Sequence, residues 1–187
     1  MKKLLLLGIG FGLIMLYGMA NASYDPALQN RINFNKMLST YPELRNANIR
    51  LVPVGAEALL VREIKDDPDS ETPRISSYHI DTDTIFVQKD LNPFVFQYWV
   101  MHEFCHHISY VEMEDWEWKK WNRLYETHPN HMSAYSKTNA DEGWAESCAI
   151  YKYGMRDRYT YAGVESVFDS PQGKFMNTIF PKYRKPL

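Results

Sequence analysis

His102, Glu103 and His106 lie in the run Met101-His-Glu-Phe-Cys-His-His107, an H-E-x-x-H pattern. Side chains four apart on an α-helix stand on one face, so the two imidazoles can converge on a single metal ion. Glu103, one step round, can reach a water beside that ion. This is the residue set that a single-zinc hydrolase needs on one helix. The flanking segment, from about Pro93 to Tyr110, has helical apolar spacing through Phe94, Phe96, Trp99, Val100 and Phe104, with Phe104 in the core-facing slot. His107 points about 100° beyond His106 and is expected to pack or hydrogen-bond instead of ligating.

A catalytic zinc uses three protein ligands. A third donor is expected from Asn139-Ala-Asp-Glu-Gly-Trp-Ala-Glu146. Glu142 and Glu146 are four apart on one helix face. One can bind the metal while the other orients a ligand histidine. Trp144, Ala145, Cys148, Ala149 and Ile150 predict that this helix is buried, where two carboxylates need partners. Zinc and an imidazole N–H are suitable ones.

The elements that must position these groups can be read coarsely. Asp25-Pro26 predicts a helix start, with Leu28, Ile32 and Met37 or Leu38 following at helical spacing. Ile49 to Val54 predicts a strand that Pro53 confines to an edge or a strand end. Ala56 to Ile64 fits a strand or a short helix, and Asp66 to Pro73 a solvated loop. Ile75 to Ile80 and Thr84 to Gln88 predict a hairpin around Asp81-Thr82-Asp83, just ahead of the metal helix. Its edge could take up an extended peptide by strand addition. A Trp-rich helix follows over Asp115 to Thr127, with Trp118, Trp121 and Tyr125 expected in core or interface packing, then a loop over His128 to Thr138 that carries His131 and would border the site. Asn139 caps a third helix that runs to Tyr153 and ends at Gly154. A last helix begins at Ser170-Pro171, carries Phe175 and Ile179, and is expected to stop at Pro181. No internal repeat or low-complexity tract interrupts this order.

The chain has 187 residues and a formal net charge of −2. That length suits one domain, and that charge argues against binding nucleic acid through bulk electrostatics. Residues 1–22 read as a secretory signal: Lys2 and Lys3, an uncharged apolar run from Leu4 to Ala20, and the small-x-small sequence Ala20-Asn21-Ala22. The mature domain is then 23–187, secreted or otherwise extracytoplasmic. An uncleaved anchor is the rival reading and the only route to a membrane. Export permits disulfides. The two cysteines, Cys105 and Cys148, are nevertheless expected as buried thiols, and Cys105 points away from the focus of the two histidines.

At Tyr135-Ser-Lys-Thr-Asn-Ala-Asp-Glu-Gly-Trp-Ala-Glu146, taken with His102-Glu-Phe-Cys-His106, the chain resembles the gluzincin metalloproteases, and most of all the catalytic domain of anthrax toxin lethal factor and its relatives. In that family a tyrosine stands seven residues before a ligand glutamate, which an aromatic residue, an alanine and a further glutamate follow. Pro171 to Phe175 resembles the family's closing helix. The likeness spans roughly residues 75 to 180. It implies His102, His106 and Glu142 as zinc ligands, Glu103 as the base, Tyr135 as oxyanion stabiliser and Glu146 as a support for a ligand. Cys105 stands where family members often carry glycine.

The expectation is therefore an α+β, zincin-like domain, with a small mixed sheet, a metal-binding helix and a mainly helical C-terminal part. It would hold one catalytic Zn2+ and cleave peptide or protein substrates. The alternative is a zinc-stabilised secreted binding protein whose hydrolytic activity is lost or incidental. Hydrolysis of a non-protein amide, such as a cell-wall peptide cross-link, is a third possibility.

Overall fold

The structure is a computed structural model that describes residues 25–53, 75–128, 131–155 and 169–183. The expectations for the signal segment (1–22), for Ala56 to Ile64 and for Asp66 to Pro73 lie outside these residues. Among the described residues no helix is long and apolar enough to cross a membrane.

Helix starts follow their local chemistry. Helix α1 (Pro26–Thr40) begins with Asp25 accepting from the amides of Ala27 and Leu28, and with proline at its first position. A 3-10 turn, Pro42–Asn46, leads into β1 (Asn48–Val52). The strand stops at Pro53, as a residue without an amide donor requires. Strands β2 (Ser76–His79) and β3 (Thr84–Gln88) form the expected hairpin, turned by Ile80–Thr82 and by Asp83 in the left-handed region at φ 45°. The order is β1-β3-β2, with β1 parallel and β2 antiparallel to β3, so the sheet is small and mixed. Ile85 and Val87 of the central strand are fully buried.

Helix α2 (Pro93–His107) carries the H-E-x-x-H run, and Asn92 caps it by accepting from the Phe94 amide. Every residue from Val100 to Ser109 is buried. From Val100 on the helix is thus enclosed and not amphipathic, because α1, strands β2 and β3 and α4 (Ala140–Tyr153) all pack against α2. Phe94, expected in the apolar stripe, is exposed, since the first turn stands outside the packed cluster. The helix ends in a π-helical turn, Ile108–Glu112. Helix α3 (Asp115–Thr127) opens with a reciprocal cap between Glu114 and Glu117. Its Trp121 is buried, donates to the Ala140 carbonyl and meets Trp144 edge-on, which is the core role expected for the Trp-rich stretch. Helix α4 is capped by Asn139 and ends at Gly154 at φ 65°. Helix α5 (Pro171–Tyr183) packs against α3 and α4 through Phe175, Ile179 and Phe180. It runs through Pro181, where a stop was expected. So close to the end, the proline removes only one amide donor of the final turn.

Cys105 and Cys148 are joined in a disulfide, with Cα atoms 5.9 Å apart, which corrects the expectation of two thiols. Both face the contact between α2 and α4 and are fully buried. A bridge needs Cα atoms within about 7 Å, a condition set by helix packing and not by local sequence. Closing a loop across 43 residues constrains the unfolded chain by on the order of 4 kcal/mol. The Cys105→Ala/Cys148→Ala double variant is expected to lose up to about that much stability in non-reducing denaturant unfolding of the metal-free protein. An unchanged midpoint would mean that the bridge contributes nothing.

Candidate metal centre

The buried contact between α2 and α4 brings three donor atoms together. His102 Nε2 lies 3.2 Å from His106 Nε2 and 3.1 Å from Glu142 Oε2. His106 Nε2 lies 3.3 Å from that same oxygen. The two histidines come from successive turns of α2. Glu142 comes from the first turn of α4, which Asn139 fixes by accepting from the Glu142 amide at 2.9 Å. Gly143 allows the close approach of the flanking chain: a Cβ there would stand 2.5 Å from the Tyr125 ring and 3.1 Å from the Ser136 carbonyl. His102, His106 and Glu142 form the group that could hold a metal ion among the described residues.

Around this triangle the supporting groups are ordered by hydrogen bonds. Glu146, one turn beyond Glu142, accepts from His102 Nδ1 at 2.9 Å, from Ser133 Oγ at 2.5 Å and from the Tyr98 hydroxyl. An ionised carboxylate only accepts, so His102 donates from Nδ1, and its Nε2, which faces Glu142 and His106, is the nitrogen left to take a metal ion in place of a proton. Ser133 and Ser136 lock their own loop, with Ser136 N donating to Ser133 Oγ and Ser133 N to Ser136 Oγ, each at 3.0 Å. That loop carries Tyr135 on a 3-10 turn, Tyr135–Lys137, and sets its ring 5.8 Å from His102 and 6.1 Å from Trp99. Tyr135 is exposed overall at 43 %, as a group that meets a ligand must be, while its hydroxyl is directed inward to Glu142. Glu103 is buried on the sheet side of α2, where Ser76 Oγ donates to its Oε1 at 2.6 Å.

The charges are strongly coupled. Burial alone would raise the Glu142 carboxyl, yet His106 and His102 hold it far below the usual carboxylate range. Burial alone would lower His102, yet hydrogen bonds to Glu142 and Glu146 push it well above the usual histidine value. Burial raises Glu103, opposed by His102, His106 and Ser76. Burial, with Glu142 and Glu103 close by, also pushes the Tyr135 hydroxyl up, so it stays a donor at neutral pH. These directions belong to the metal-free protein, in which a proton shared among the donors offsets the buried negative charge.

Each residue expected at the site is brought to it: His102, His106 and Glu142 as donors, Glu103 and Tyr135 beside them, Glu146 behind His102. His107 instead faces away and bonds Asp83 through Nδ1 at 2.6 Å, stacked on Phe104, as expected of a packing residue. His131 lies against the Tyr125 ring. Cys105 is in the disulfide and is no ligand. Sequence reasoning missed Ser76, Tyr98 and Ser133. Tyr98 had a usable signal, since it precedes His102 by four and shares its helix face. Ser76 and Ser133 had none, because they depend on the approach of a strand and a loop. Comparison with family models, curated proteins and solved structures finds no match to this chain.

One divalent ion per chain is expected by elemental analysis, and His102→Ala, His106→Ala and Glu142→Ala are each expected to abolish it. Glu146→Gln is expected to keep the stoichiometry and weaken affinity about 10- to 100-fold. Because the proton on His102 competes for the same atom, affinity is expected to rise with pH across neutrality. A pH-independent affinity in a competition titration would contradict that competition.

Proposed function

We propose that this chain is an exported zinc metallopeptidase of gluzincin type with a zincin-like fold. The observation that carries this reading is the convergence of His102, His106 and Glu142, with Glu103 on the same helix and Tyr135 on the flanking loop. Two imidazoles and one carboxylate are a donor set that catalytic zinc sites use, whereas structural sites take four protein ligands. Donors 3.1 to 3.3 Å apart match the edges of a tetrahedron with bonds of about 2.0 Å, the length zinc prefers. A bound zinc ion supplies Lewis acidity, which polarises a carbonyl and acidifies water.

The remaining work falls to the chain's own groups. Glu103 is placed to take the proton of the attacking water and to pass it to the departing amine nitrogen. The Tyr135 hydroxyl, kept protonated, donates to the oxygen on which negative charge develops. Glu146 holds His102 in one tautomer. Among the described residues strand β2 is an edge of the sheet beside α2, so its backbone is suited to an extended peptide. A disulfide between the ligand helices fits an oxidising compartment and so supports export.

The zinc-loaded protein is expected to hydrolyse members of a peptide library. Glu103→Gln is expected to lower turnover by at least about 100-fold with zinc still bound. Tyr135→Phe is expected to lower kcat by roughly 100-fold and to leave metal affinity alone. A chain that binds zinc and cleaves no peptide would favour the binding-protein reading, and undiminished turnover in Glu103→Gln would remove the assigned base.

A further inference from the structure

The Glu103 carboxylate is buried, and within α2 nothing fixes its terminal torsion, which is broad for a carboxylate. The group that does fix it comes from the sheet. Ser76 Oγ donates its single hydrogen to Oε1 at 2.6 Å, which leaves Oε2 to exchange a proton. Ser76 is itself held at both ends of its strand. On one side the Gln88 amide donates to the Ile75 carbonyl at 2.9 Å, and Ser76 stands in register with fully buried Val87. Two residues on, on the same face, Tyr78 donates to Asp83 at 2.9 Å and stacks on Tyr110. The hydroxyl is therefore a fixed post.

We propose that Ser76 is the positioning residue of Glu103: the edge strand, through this one hydroxyl, holds the carboxylate in the orientation that proton transfer needs. This inference rests on the proposed peptidase reading. It gives β2 a second task beyond presenting its backbone to a peptide, since the strand that would pair with a substrate also aims the base.

The test is steady-state kinetics on a peptide substrate with zinc-loaded wild type, Ser76→Ala, Ser76→Thr and Glu103→Gln. Ser76→Ala is expected to lose about tenfold or more in kcat, the size of a lost hydrogen bond to a charged group. KM, zinc stoichiometry and melting temperature are expected to stay near wild type. Ser76→Thr keeps the hydroxyl and is expected to restore most of kcat. In the metal-free protein, the carboxylate stretch assigned by Glu103→Gln difference infrared spectroscopy is expected to shift in Ser76→Ala and to return in Ser76→Thr. Wild-type kcat in Ser76→Ala beside an inactive Glu103→Gln would overturn the role of Ser76 alone. An unmoved stretch would overturn it as well, whatever the kinetics. A fully active Glu103→Gln would instead remove the base, and the peptidase mechanism with it.

Discussion

Three lone-pair donors stand within 3.3 Å of one another in the interior, and that crowding is the constraint on which the structure depends. Two imidazole nitrogens and a carboxylate oxygen at such spacing repel unless a cation or a proton sits among them. Burial makes the repulsion worse, since little water screens it. The fold opposes it by fastening α2 to α4 covalently at Cys105–Cys148 and by pinning His102 from behind through Glu146. Glu146 is pinned in turn by Tyr98 and Ser133. Each buried carboxylate thus has named donors, the condition under which buried charge is tolerated.

The sheet side of α2 repeats this arrangement with different groups. His107 is buried between Asp83 and the Phe104 ring, and Asp83 also accepts from Tyr78. Asp83 occupies the left-handed region, which aspartate tolerates better than most residues, and that conformation closes the hairpin. The hairpin turn is thereby tied to α2 one residue beyond His106. Helix, sheet edge and turn form one connected body, the rigidity that the proposed base would require.

The parts of the fold that local chemistry decides were legible in the sequence. Asp25-Pro26, Asn139 and Gly154 mark helix ends because capping uses groups within three or four residues. The H-E-x-x-H spacing and the Glu142–Glu146 pair are legible for the same reason: helical periodicity alone brings each set to one face. What was not legible depends on distances between elements. The disulfide requires the separation of two helices, Ser76 requires the height of a strand above α2, and the enclosure of α2 requires knowing which elements pack against it. Pro181 misled because a proline's cost depends on how many residues follow it. The resemblance to gluzincins supplied Tyr135 and the choice of Glu142 over Glu146, which spacing had left open.

The bridge also restricts how this chain can change. Cys105 sits one residue from a histidine donor, and Cys148 two residues beyond Glu146. Losing one partner alone would leave an unpaired sulfhydryl buried in the contact between α2 and α4. Losing both leaves only a smaller core. Either single change already forfeits the whole of the bridge's contribution, so neither cysteine has a bonding role without the other.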